Sequence, residues 1–171
     1  WDTFCDWWIE LAKPVLSGAD EAAREEARLV AGWVLARVLH LLHPMAPFVT
    51  EELWRVLFGA PGGMLILAPW PHAEPDLADP EAAAELGWLT RTIGAIRAAR
   101  AELNVPPSAR LRLLQHGATA TTLARLERHR EALLRLARLA EIELSDQPPP
   151  PRSIVVVVDE TSFSLPVGEV V

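Results

Sequence analysis

Apolar residues recur in this chain with a helical period as far as about residue 105 and with a mixed, partly alternating period beyond it. The pattern therefore predicts a helical part followed by an α+β part. Trp1, Phe4, Trp8 and Leu11 fall at helical spacing, Trp7 widens that face, and Pro14 is expected to limit the helix. A second helix is predicted from Asp20, as its cap, to His43, with Leu29, Val30, Trp33, Val34, Val38, Leu41 and Leu42 as a broad buried stripe. Pro44 stops it, and Thr50 is expected to cap a third helix carrying Glu51 and Glu52 in its first turn, with Leu53, Trp54, Leu57 and Phe58 as its apolar face and Gly59 as its end. Met64 to Trp70 is expected to lie extended, since Pro69 and Pro71 forbid a helix. Asp79-Pro80-Glu81 starts a fourth helix that runs through Leu86, Leu89, Ile93, Ile96 and Leu103 until Asn104 and Pro106-Pro107 end it. Four helices with short connections describe a bundle over residues 1–105.

Residues 106–171 read as a small β-α-β-β module on or near that bundle. Arg110 to Leu113 alternates as a half-buried strand, His116-Gly117 turns, and Thr122 to about Ala140 is helical through Leu123, Leu126, Leu133 and Ala137. Ile142 and Leu144 add a brief strand. Four prolines, 148–151, make a stiff spacer, and Ile154 to Val158 and Phe163 to Val167 flank the Asp159-Glu160 turn as a hairpin.

The stretch His43-Pro44-Met45-Ala46-Pro47-Phe48-Val49-Thr50-Glu51-Glu52-Leu53-Trp54, taken with Phe4-Cys5-Asp6-Trp7-Trp8-Ile9-Glu10-Leu11-Ala12-Lys13-Pro14, resembles the anticodon-binding region of class I aminoacyl-tRNA synthetases for branched aliphatic amino acids. The upstream motif, and Ile96 to Ser108 with its Arg97, Arg100, Asn104-Val105-Pro106-Pro107 core, look specifically like valyl-tRNA synthetase. Leu65 to Pro71 also fits, and the match is weakest between Gln115 and Pro151. The resemblance implies a mainly α anticodon-binding bundle followed by a small α+β module. It further implies that the intact enzyme joins valine to tRNA-Val with ATP and magnesium, and that this part grips the anticodon stem-loop. The chain opens inside a helical pattern at Trp1, so it is expected to be excised from a longer protein, and the family continues past Val170-Val171 into a coiled-coil arm.

The 171 residues, half of them hydrophobic, suffice for one good core or two small ones. No apolar run or signal-peptide pattern points to a membrane, so a cytoplasmic protein is expected, with a monomer as the expected state; its single Cys5 cannot form an internal disulfide and reads as buried packing rather than a nucleophile. The net charge of −7 is unevenly placed: residues 91–138 hold ten arginines against three acids, a local +7, while acids cluster at 20–26 and 74–85. Steering of a polyanion depends on such local fields.

The family's two nucleotide-binding signatures are missing, and a lysine-bearing loop cannot exist in a chain whose one lysine is Lys13. No catalytic residue and no cofactor is therefore expected in this chain. His40 and His43 lack a third ligand nearby, so no metal site is expected either. RNA contact needs cations for phosphates and planar side chains on which unpaired bases stack. The candidates are Trp7, Lys13, Arg91, Arg97 and Arg100; six- and three-residue spacings set Arg97 and Arg100 on neighbouring positions of one helix face and Arg91 within roughly 120° of it. Two other readings stand beside tRNA recognition: a scaffold that packs on the catalytic domain of the same protein and barely binds RNA alone, and the equivalent domain of an isoleucyl or leucyl enzyme, against which the Phe4–Lys13 and Arg100–Ser108 motifs count.

Overall fold

The computed structural model describes residues 3–168, with the side chain of Ala60 left aside, so the expected roles of Trp1 and of Val170-Val171 lie outside the described residues. A π-helical turn, Thr3–Trp8, leads into α1 (Ile9–Ser17), then α2 (Glu21–Leu42) and α3 (Pro47–Phe58). Three short 3-10 turns (Ala60–Gly62, Leu65–Leu67, Pro75–Leu77) carry the chain to α4 (Pro80–Glu102). Then follow β1 (Leu111–His116), α5 (Ala120–Arg128), α6 (Arg130–Leu136), β2 (Leu139–Leu144), β3 (Ser153–Val158) and β4 (Thr161–Pro166). The protein is mainly α with a small α+β part. Its compact units are Trp1–Ala78 and Asp79–Val171, so the chain divides ahead of α4 rather than at the Pro106-Pro107 pair.

In the first unit, Pro14 lies inside α1 instead of ending it. A proline there deletes one bond, to the Glu10 carbonyl, a single turn before the helix stops. That last turn is held by the Ser17 hydroxyl, which donates to the Lys13 carbonyl at 2.9 Å. Asp20 caps α2 as expected, accepting from the Ala23 amide at 3.1 Å. The corner is tighter than its sequence suggested. Pro47 takes the first position of α3, where its fixed φ favours a helix and its missing N–H costs nothing. Thr50 is therefore one turn inside α3, not its cap; its buried hydroxyl donates to the Ala46 carbonyl at 2.8 Å and meets His43 Nδ1 at 2.8 Å. Gly59, at φ +59°, closes the helix in a conformation that suits glycine.

The core of this unit is small: Ala36, Leu39, Trp54 and Leu65, with Leu35 and Ala68 packed against it. The broad stripe expected on α2 is largely uncovered. Leu29, Val30, Trp33 and Leu41 are all exposed, Leu29 by 66%. The reason is geometric. A 22-residue helix is about 33 Å long, and α2 packs with helices of only nine and twelve residues.

In the second unit, a mixed four-stranded sheet has the order β2-β1-β4-β3. Strands β1 and β2 run parallel, joined through α5 and α6, while β4 pairs antiparallel with both β1 and β3. The expected brief strand at 142–144 is a full one, with Ala140 bulged out where Leu111 pairs Leu139 and Arg112 pairs Glu141. The single helix expected over 122–140 is two helices that part at His129. Helix α4 starts as its sequence dictates: Asp79 Oδ1 accepts from the Glu81 and Ala82 amides at 3.0 and 2.9 Å. It packs on β3 and α6, burying Trp88, Leu89, Ile93 and Ile96 to 1% exposure or less. Leu113, Leu133, Leu139, Phe163 and Leu165 are buried as completely.

Candidate nucleic-acid interface

Of the expected RNA contacts in the first unit, Trp7 is half-buried in the π-helical turn, beside the stacked rings of Phe4 and Trp8, 5.0 Å apart and 12° from parallel. Lys13 is exposed and ion-paired with Glu10, one turn back. More ring surface is bare elsewhere. Phe48, second residue of α3, is 91% exposed, and Trp70 is 54% exposed. Trp33 offers an exposed indole with the Arg37 guanidinium 4.2 Å from its centroid, and Arg37 is itself paired with Glu74.

An open groove of about 610 Å³ is bounded by Arg37, His40, Trp54, Trp70 and His72. Its walls are fixed from within. Trp54 Nε1 donates to the Gly62 carbonyl at 3.2 Å, and the edge of His40 meets the Trp54 ring at 4.8 Å and 85°. His40 Nδ1 lies 2.8 Å from the Ala36 carbonyl. The Glu51 carboxylate does not simply face the dipole of α3; it accepts the Leu65 and Ile66 amides at 2.9 and 3.2 Å, and so anchors the segment that leads to Trp70. Gly62 is required at the groove's edge, since a Cβ there would lie 2.4 Å from Phe58 Cβ.

Eight arginines of the second unit have partners of two kinds. Arg91, Arg112, Arg125 and Arg128 face carboxylates: Asp159 at 2.9 Å, Glu141 at 3.9 Å, and Glu85 at 3.5 and 2.5 Å. His129 Nε2 joins Glu85 at 3.0 Å, a tertiary contact at the point where α5 and α6 part. Burial pushes the Glu85 carboxyl up, but hydrogen bonds from Arg128 and His129 and their charges hold it below the usual carboxylate range. Arg97, Arg100, Arg130 and Arg138 instead donate to main-chain carbonyls.

Arg97 and Arg100 meet at the end of α4, while Arg91 lies apart at the β3–β4 turn. Asn104, at φ +51°, ends the helix in a Schellman turn, with Val105 N–H on the Arg100 carbonyl at 2.9 Å and Asn104 N–H on Ala101 at 3.1 Å. The Arg100 side chain folds under this turn, 5% exposed, and its Nη2 donates to the Ala109 and Pro106 carbonyls at 2.7 and 3.2 Å. Arg97 Nε donates to the Leu136 carbonyl at 2.8 Å, the last of α6. Arg138 follows that helix at φ +55°, a left-handed conformation that costs a non-glycine residue about 1–2 kcal/mol, and its guanidinium donates to the Pro107 carbonyl.

Residues 1–115 match the family described as the anticodon-binding domain of tRNA ligase. The chain belongs to the anticodon-binding domain family of tRNA ligases. It is 51% identical to the valine–tRNA ligase of Caulobacter vibrioides over 99% of its own length and 19% of that protein. It is 46% identical to the valine–tRNA ligase of Agrobacterium fabrum over 100% of its length and 18% of that protein. A third such ligase, from Rhizorhabdus wittichii, is 46% identical over 100% of this chain and 19% of its own length. The chain thus spans about a fifth of the length of the curated relatives it matches.

The anticodon-binding match, residues 1–115, takes in all of the first unit, α4 and most of β1. Within this anticodon-binding domain, Phe48, Trp33 and Trp70 were not among the expected contacts; beyond it, Arg138 entered only through the local charge. Phe48 had a signal: it stands six residues from the buried Trp54, about 120° away around α3. Arg138 had none, because its carbonyl partner comes from 31 residues away.

Proposed function

We propose that this chain recognises the anticodon stem-loop of tRNA-Val within a longer valine–tRNA ligase, which joins valine to that tRNA with ATP and magnesium. The observation that carries the reading is the anticodon-binding family match, together with relatives named valine–tRNA ligase that align with the chain end to end. Its chemistry fits. Unpaired loop bases stack on planar side chains, for which Phe48, Trp33 and Trp70 have open faces and Trp7 a partial one. Arg97 and Arg100, which donate to main-chain carbonyls, serve the phosphates as cations. Lys13 and Arg91 are available too, since exposed ion pairs such as theirs contribute only about 0–1 kcal/mol and a phosphate can replace the carboxylate. By holding the anticodon end, the domain orients the tRNA toward the catalytic part of the same protein, working as a cytoplasmic monomer.

One observation favours a second reading, a scaffold that packs on the rest of the ligase and binds RNA weakly alone: Met45, Val49, Leu53, Val56 and Leu57 are all exposed around α3. Fluorescence anisotropy with a tRNA-Val anticodon stem-loop and an identical loop of unrelated anticodon, at two salt concentrations, separates them. Tighter, salt-sensitive binding to the valine loop supports anticodon reading. Equal or undetectable binding to both supports the scaffold.

A further inference from the structure

Between the Gly62-Gly63 joint and Trp70 the chain runs as a stiff lever. Gly63 sits at φ +62°, a conformation that suits glycine, and the 3-10 turn Leu65–Leu67 follows at once. Pro69 and Pro71 stand on either side of Trp70, fixing two φ angles and biasing Ala68 and Trp70 toward extended backbone. A 3-10 turn leaves its first amides without an internal acceptor. Here the Leu67 and Ala68 amides bond back to the Met64 and Leu65 carbonyls at 3.1 and 3.0 Å. The first two, Leu65 and Ile66, donate to Glu51 on α3 at 2.9 and 3.2 Å, one to each carboxylate oxygen. Leu65 is 3% exposed, so its amide has little water to turn to. One carboxylate thus fixes where the lever starts, and the Arg37–Glu74 ion pair holds the chain again beyond Trp70.

What the lever carries is one wall of the groove of about 610 Å³: Leu67, Trp70 and His72 line it together with Arg37, His40 and Trp54 from the helices. That volume lies within the roughly 300–1,000 Å³ of small-ligand clefts. An indole that is 54% exposed beside such a cleft offers a planar face to one unpaired base. Arg37 adds a buried Nε–H that lacks a hydrogen-bond partner, a donor that a carbonyl oxygen or ring nitrogen of a base accepts.

We propose that this groove receives one unpaired base of an RNA loop on the Trp70 ring, and that Glu51 is its positioning residue, holding the lever through the Leu65 and Ile66 amides. The base site rests on the RNA-binding reading and gives it a place in the first unit. A ring already held where it is needed loses less freedom on binding, so the clamp acts on affinity. Stacking tolerates every base, so the clamp does not act on which anticodon is preferred. Glu51→Gln replaces one of the two acceptor oxygens by an NH₂ group set against an N–H, and so loosens the start of the lever.

The test is a double-mutant cycle in the full 171-residue chain: wild type, Glu51→Gln, Trp70→Ala and the two combined. Anisotropy titrations use a tRNA-Val anticodon stem-loop and the loop of unrelated anticodon, and urea melts check that each variant folds. Trp70→Ala is expected to weaken binding of both loops roughly fivefold or more. Glu51→Gln is expected to weaken both about threefold, and to cost nothing further once Trp70 is alanine. In a wild-type chain labelled with fluorotryptophan, the fluorine resonance of Trp70, identified by its loss in Trp70→Ala, shifts when either loop is added; this arm stands even where Glu51→Gln fails to fold. Wild-type binding that Trp70→Ala leaves unchanged, or a Trp70 resonance that does not move, overturns the base site and spares the RNA reading. Equal losses from Glu51→Gln with and without the indole overturn the positioning role, since the glutamate then acts on the fold and not through Trp70. No binding of either loop by the wild-type chain overturns both the base site and the RNA reading.

Discussion

Helices α2 and α4 are nearly the same length, 22 and 23 residues, both start at a capping aspartate, and both were expected to carry a continuous apolar stripe. Their fates differ. The middle of the α4 stripe, Leu89, Ile93 and Ile96, is buried against β3 and α6, with Leu86 and Leu103 exposed toward its ends, whereas the α2 stripe leaves Leu29, Val30, Trp33 and Leu41 exposed. Periodicity tells which face is apolar; it does not tell whether a neighbour long enough to cover that face exists. The largest expected effect tests this difference directly. Trp88→Ala should cost the second unit about 3–5 kcal/mol, the range for an aromatic removed from a full core. Trp33→Ala should cost the first unit about 1 kcal/mol or less, mostly its contact with Arg37. Urea melts followed by far-UV circular dichroism compare them, and equal losses would mean that α2 is covered as tightly as α4.

The first unit has its own tight place, and a milder substitution sharpens the contrast there. Gly62→Ala sets a methyl against Phe58 and close to Trp54 Nε1, 3.4 Å away. The backbone or the Phe58 ring must yield, at about 1–3 kcal/mol. Six of the seven tryptophans precede Ala78, so fluorescence-detected melting reports chiefly on this unit. A midpoint unchanged from wild type would show that the 60–62 turn is looser than its geometry.

How much was legible follows from where each determinant lies. The start of α4 was readable to the residue, because Asp79 and Pro80 act on amides two and three positions away. The start of α3 was misplaced by four residues, from a cap at Thr50 to one at Ala46, because the threonine-cap rule was weighed above the preference of Pro47 for a first helical position. The break at His129 was invisible: what fixes it, Glu85, is 44 residues distant. The candidate site divides in the same way. That Arg97 and Arg100 share a face could be counted off, but their use of the Leu136, Pro106 and Ala109 carbonyls depends on tertiary folding. So does the exposure of Trp33, which helical spacing assigned to the buried stripe of α2.

Glu85 allows a smaller test, on the second unit alone. Its carboxyl is held below its ordinary value of about 4.5, so it contributes stability that is present above that value and lost as pH falls through the lower folded-state value. Glu85→Gln should therefore cost about 1 kcal/mol at pH 7, where Arg125, Arg128 and His129 lose a common partner. The gap between wild type and variant should close in acid. Paired denaturant melts from pH 7 to pH 3 measure it, and a gap that persists undiminished at the acid end would mean that packing, not charge, is what the glutamate supplies.

The smallest expected effect is at Phe48. With 91% of its surface in water, the ring buries almost nothing, and Phe48→Ser should leave the first unit within about 0.5 kcal/mol of wild type. Stability is then a poor guide to why a phenylalanine stands there, and binding becomes the informative readout. A ring that stacks an unpaired base contributes about 1–3 kcal/mol to RNA affinity, so the variant should bind a tRNA-Val anticodon stem-loop roughly fivefold or more weakly while melting as wild type does. Binding and melting both unchanged would leave the ring to the scaffold reading, in which the apolar surface around α3 is covered by protein. A loss of stability above about 1 kcal/mol would contradict the contrast itself, since it would place Phe48 in a core that the first unit does not build around it.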